Sequence, residues 1–218
     1  MKSMTNYPNR NKKGKYINAH VDNLYRKPRD FLMWALGFFK DPPHIKAPKD
    51  FSYPTTQRKF KSSLPWAQWI GHSTYLVSIG EKNFLTDPIW SNRCSPVSFA
   101  GPKRQHPPAV PINKLPEIHF VLISHDHYDH LDNKTVKNLN RLFPDILWIV
   151  PEGLSRWFSK RKIKNVVELS WWESFDMDSE LKITSVPAQH FSGRVSSHVN
   201  RSLWSGYVIQ SKKPKRNL

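Results

Sequence analysis

Beyond residue 65 the apolar positions come in short clusters broken by Gly, Pro and polar residues. The runs "WAQWI", "TYLVSI" and "NFLT" are rich in β-formers and separated by turns at Gly71 and Gly80, which predicts a β-meander. A Pro-rich loop from Pro88 to Pro116 follows. The unbroken apolar run Ile118 to Ile123 then predicts a strand buried on both faces. Asp132 stands where an N-cap would, and Val136, Leu139 and Phe143 at i, i+3 and i+7 share one face of the helix it would open. "ILWIV" predicts another strand, "GLSRWFSKRK" a second helix, and "NVVEL", "LKITSV" and "LWSGYVIQ" further strands. This alternation predicts an α/β or mixed layered domain.

The first 60 residues differ in texture: basic, Pro-rich stretches flank a single apolar segment, Phe31 to Phe39. We divide the chain into an N-terminal extension, residues 1–60, and a domain over 61–218. The apolar segment is far shorter than the roughly 20 residues a bilayer crossing needs. It is expected to pack on the domain, the alternative being a place at a membrane interface. A lone cysteine, Cys94, rules out an intrachain disulfide, and the basic N-terminus has no secretory pattern, so a cytoplasmic protein is expected. The formal net charge of +17 favours a polyanionic partner without choosing among nucleic acid, anionic membrane and phosphorylated substrate. The basic "KKPKR" near the C-terminus is expected to be solvated, and Trp171 and Trp172 to lie in the core.

Candidate chemistry sits in "SHDHYDHLD", directly behind the buried strand. Imidazole nitrogens and carboxylate oxygens are ordinary zinc ligands. At a strand end His125 and His127 project to the same side. As the chain turns toward the helix, Asp129 and His130 reach a second position nearby, a layout suited to metal-assisted ester or phosphoester hydrolysis. His190 in "SVPAQHFSGR" follows another predicted strand and is expected to complete a three-His set with His125 and His127. His20, His44, His106 and His198 have no such setting and are expected on surfaces or loops, with His119 a satisfied core histidine.

"WIGHSTYLVSIGEKNFLTDPIWSNRCSPVSFAGPKR", "LISHDHYDHLD", "WWES" and "PAQHFSGR…SLWSGYVI" together resemble the metallo-β-lactamase fold, and within it the N-acyl-phosphatidylethanolamine-hydrolysing phospholipase D branch. The resemblance implies an αββα sandwich with two zinc ions at the sheet edge, the first on His125, His127 and His190 and the second in part on Asp129 and His130. Asp129 is also assigned the catalytic role, and His72 and Asp87 the orientation of ligand histidines. The implied reaction cleaves an N-acyl phosphatidylethanolamine to phosphatidic acid and an N-acylethanolamine, with phospholipid as substrate and peripheral contact with an anionic membrane.

The family pattern also contains a metal-bridging carboxylate in a Gly-Asp-Thr-type turn and a later His. Here Glu180 is the last acidic residue and His198 the last histidine. We therefore expect a C-terminally truncated family member, with much of the second half of the sandwich missing and at most one zinc. Two other readings are a non-catalytic remnant that binds metal or lipid, and a nuclease of the same fold. No nucleic-acid partner is expected, because the basic residues are spread over both ends and the "GPKR" loop.

Overall fold

The computed structural model describes residues 8–18, 64–79, 81–194 and 198–211. The apolar runs build a six-stranded sheet in chain order: β1 (Trp66–Gly71), β2 (Thr74–Ile79), β3 (Lys82–Thr86), β4 (Phe120–Leu122), β5 (Leu147–Pro151) and β6 (Val166–Leu169). The β1–β2–β3 meander is antiparallel, and β3 to β6 pair in parallel. Parallel neighbours require crossovers. One of these carries helix α1 (Asn133–Leu142) and the next carries α2 (Ser155–Ser159). A second, antiparallel sheet holds β7 (Ser174–Asp176), β8 (Leu181–Pro187) and β9 (Ser205–Ser211).

Strand alternation sorts the core into two layers. Leu85, Val121, Ile123, Trp148 and Val150 face the helices and pack with Val136 and Leu139 of α1 and Phe158 of α2. Phe84, Phe120, Leu122, Leu147 and Ile149 face the second sheet and pack with Leu181 and Ile183 of β8. The layers are thus helix, sheet and sheet, three of the four layers that the resemblance implies. Among the described residues no helix covers the outer face of the three-stranded sheet, and no helix is long and apolar enough to cross a membrane.

Part of the stretch set apart as an extension lies against this domain. Tyr16 is fully buried with Trp171, Leu203 and Trp204, and its N–H donates to Asn200 O at 2.9 Å. Trp172 departs from the expectation that both tryptophans are core: it is 57% exposed, on a turn with φ 72°. His119 is half-buried, and its Nδ1 accepts the Asn83 N–H at 3.1 Å. His20, His44, Gly80, the Phe31–Phe39 segment and the "KKPKR" stretch lie outside the described residues.

Candidate metal centre

Two groups of potential ligands meet where β4 ends: His125, His127 and His190, and beside them His72, Asp129 and His130. Within each group the ligand atoms lie within 4.8 Å of one another. Four of the six come from the loop between β4 and α1, His72 from the β1–β2 turn, and His190 from the loop after β8. Asp132 closes the β4–α1 loop by capping α1, its carboxylate accepting the N–H groups of Lys134 and Thr135.

In the first group His125 Nε2 lies 2.8 Å from His127 Nδ1 and 3.1 Å from His190 Nε2. Two nitrogens bound to one tetrahedral zinc at 2.0–2.1 Å would sit about 3.3 Å apart, so this spacing is close to that of a shared ion. Proton placement agrees. Asp87 Oδ2 accepts the Ser124 hydroxyl at 2.7 Å, which commits that oxygen's only hydrogen. Toward His125 Nδ1, 2.8 Å away, Ser124 Oγ can then only accept. His125 carries its proton on Nδ1 and turns a bare Nε2 toward its two partners. Burial, followed by the neighbouring imidazoles, pulls His125 down to about 2. Burial and His190 pull His127 to about 4, and burial also lowers His190. Three neutral imidazoles with converging nitrogens are a donor set that fits a divalent metal.

The second group has the opposite electrostatics. His72 Nε2 lies 3.0 Å and His130 Nε2 3.5 Å from Asp129 Oδ2, while His130 Nδ1 donates to Asp87 Oδ2 at 2.8 Å. Burial would lower His130, but the hydrogen bonds and charges of Asp129 and Asp87 outweigh it and hold the ring at about 9. Burial would likewise raise Asp129, yet His130 and then His72 keep it well below the usual carboxylate range. Both His72 (φ 52°) and Asp87 (φ 38°) sit in the left-handed region, where non-glycine residues are uncommon and often functional.

Asp87 therefore does two things: it orients His130 directly and His125 through Ser124. His72, expected to act on a ligand histidine, lies among the second group's candidate ligands. Asp129 and His130 thus have a third candidate ligand beside them, whereas at most one zinc was expected because the bridging carboxylate and the later His are missing. A cleft of about 510 Å³ opens against His72 and Asp129, walled by Trp69, Ile89 and Pro102 with Lys103, Arg104 and His106 at its rim.

A "Beta-lactamase superfamily domain" family model matches residues 82–217. The chain belongs to the beta-lactamase superfamily. It is 43% identical to N-acyl-phosphatidylethanolamine-hydrolyzing phospholipase D 1 of Caenorhabditis elegans, an alignment covering 85% of this chain and 60% of that protein. It is 33% identical to N-acyl-phosphatidylethanolamine-hydrolyzing phospholipase D, mitochondrial, of Saccharomyces cerevisiae, over 65% of this chain and 30% of that protein. Among solved structures, Igni18, a metallo hydrolase from Ignicoccus hospitalis, aligns at TM-score 0.48 and 17% identity over 66% of this chain and 55% of that one. The chain thus spans about three fifths or less of the length of these superfamily relatives.

Several residues around the centre escaped the sequence reading. Gly193 N–H donates to Asp126 Oδ1 at 2.6 Å and Arg194 Nε donates to Asp126 O at 2.6 Å, while the Arg194 guanidinium also donates to Leu131 O. "SGR" thereby ties the His190 loop to the "HDHYDH" loop. Gly193 has φ 142°, and a Cβ there would lie 2.9 Å from Val199 Cα, so this close approach requires glycine. Asp126 carried a usable signal: if His125 and His127 point one way, period two sends Asp126 the other.

Proposed function

We propose that this chain carries the metal centre of a zinc-dependent phosphodiesterase of the N-acyl-phosphatidylethanolamine phospholipase D type, acting on phospholipid at the surface of an anionic membrane from the cytoplasmic side. The observation that carries the reading is the pairing of a neutral three-imidazole set with an adjacent His–Asp–His set, of which His72 and Asp129 border a cleft. Similarity to the two phospholipase D relatives supports the substrate class. The net charge of +17 suits an anionic surface.

His125, His127 and His190 would hold one ion, and His72, Asp129 and His130 a second. When bound, a divalent metal supplies Lewis-acid polarisation of a phosphoryl oxygen and makes water a nucleophile near neutral pH. The chain's own groups divide the remaining work. Asp129 is held too acidic to take a proton at neutral pH, so its Oδ2 serves as a fixed acceptor and ligand rather than a general base. His130, kept on station by Asp87, presents Nε2 toward the same point. The Lys103 side chain at the cleft rim offers positive charge to a phosphodiester, and Trp69, Ile89 and Pro102 offer apolar wall to the lipid part. Arg104 is largely structural, its Nη2 donating to Ile89 O at 2.7 Å.

The test is release of phosphatidic acid from N-acyl phosphatidylethanolamine in mixed micelles by zinc-loaded protein. Release is expected that chelation abolishes and that His127→Ala lowers on the order of a hundredfold. Zinc-loaded protein that releases none, while the same micelles are cleaved by a longer relative, would contradict it.

A further inference from the structure

His190 differs from the other candidate ligands in how it is held. His125 is fixed through its ring by Ser124, and His130 through its ring by Asp87. Among the described residues His190 Nδ1 has no hydrogen-bond partner, and the residue lies beyond the end of β8, where no ladder fixes its peptide. Its backbone is gripped instead. The His190 N–H donates to Asn18 Oδ1 at 3.1 Å, and Asn18 Nδ2 donates to His190 O at 2.8 Å, across 172 positions of sequence. One carboxamide thus satisfies both polar groups of the His190 residue in the way a neighbouring strand would.

The clamp is itself anchored. Two residues earlier Tyr16 is fully buried, its N–H donating to Asn200 O at 2.9 Å while Asn200 Nδ2 donates to Tyr16 O at 2.8 Å. Asn200 Oδ1 also accepts the Ser192 N–H at 3.1 Å, so residues 16–18 and the loop bearing His190 are locked to one another. Arg10 extends the attachment by pairing with Glu152 at 2.7 Å.

We propose that Asn18 is a positioning residue of the metal centre: by fixing the His190 peptide it keeps the His190 ring in register with His125 and His127. The proposal rests on the metal reading above. Groups that orient ligands change metal affinity by about 10–100-fold when removed, and a preformed third ligand spares the cost of ordering it at binding.

Competition against a chromophoric chelator measures cobalt(II) affinity in the full chain and its variants at fixed neutral pH. Asn18→Ala is expected to bind about tenfold more weakly, with a cobalt spectrum altered from that of wild type. Asn18→Asp keeps the acceptor for the His190 N–H but has no donor for His190 O, and is expected to fall between the two. Asn11→Ala is the control: Asn11 Oδ1 caps only the local turn, accepting from the N–H groups of Lys13 and Lys15 at 2.9 and 3.1 Å, so affinity should be unchanged. Wild-type affinity in a folded Asn18→Ala chain overturns the proposal, as does an equal loss in Asn11→Ala. If Asn18→Ala does not fold, wild-type affinity in Asn18→Asp overturns it in the same way. Failure of the wild-type chain itself to bind cobalt would overturn the metal reading and this proposal together, an outcome distinct from equality between variant and wild type.

Discussion

Ser124 has a single hydroxyl hydrogen and three neighbours within reach of it, the Asp87 carboxylate, the His125 ring and, at 3.5 Å, His130 Nδ1, and giving that hydrogen to Asp87 leaves His125 to carry its own proton on Nδ1. Burial leaves the first group neutral and open to a metal, whereas in the second group Asp129 and Asp87 hold a proton on His130 up to about 9. The two groups should therefore load differently with pH. A metal entering the second group must displace that proton at any pH below 9, so its apparent affinity should climb as pH rises toward 9, by about tenfold per unit for one proton. The first group has no proton to give up from neutrality upward, and its affinity should be flat there. Titration calorimetry with zinc at several pH values checks this, and a second step that does not steepen with pH would contradict it. The sign for stability is the reverse of that for His130. Folded-state values below about 6.5 for His125, His127 and His190 stabilise the metal-free fold above that pH and lose their contribution as pH falls through them. The convergence of His125 and His127 was legible because two strand-end histidines two apart share a side. The place of His72 was not, since nothing in "GHST" shows that this turn, with its positive φ, delivers the ring to Asp129.

The loop carrying four of the six candidate ligands stays short because α1 begins at once behind it. Asp132 accepts from the N–H groups of Lys134, Thr135 and, across the fold, Ser91 at 3.3 Å, so one carboxylate both starts the helix and holds the Pro88–Pro116 loop. Asp132→Ala should cost about 1–2 kcal/mol of stability, read from urea unfolding of metal-free protein; a change below about 0.3 kcal/mol would show that the cap matters little. Strands β1, β2, β3, β5 and β8 and helix α1 follow the hydrophobic pattern closely: β2, β8 and α1 each bury one face, while β5 is buried along its whole length. The second predicted helix shrinks to five residues. Lys162 takes φ 61° and the Ile163 N–H reaches back to Phe158 O at 3.2 Å, a helix stop of the kind usually built on glycine but here built on lysine, with no sequence mark. β7 is three residues, "SFD", exposed on alternate positions and too short to show a period.

At the scale of the molecule, the six-stranded sheet and the three-stranded sheet meet face to face, and loops from both deliver candidate ligands to one rim: His72, His125, His127, Asp129 and His130 from one, His190 from the other. The layered class and the strand–loop–helix around the motif could be read from alternation alone. The packing of residues 8–18 against the His190 loop could not, since polar side chains such as Asn18 have no pattern that announces a partner 172 positions away. Bringing the rim together is the step on which any chemistry depends, and it leaves a direct trace. Elemental analysis of the purified, gel-filtered chain after zinc loading should find at least one equivalent per chain, and a doubly substituted His127→Ala, His190→Ala chain with an unchanged far-UV circular dichroism spectrum should find the first-group ion gone. A wild-type chain without zinc, or a folded double variant that retains the wild-type amount, would contradict the account.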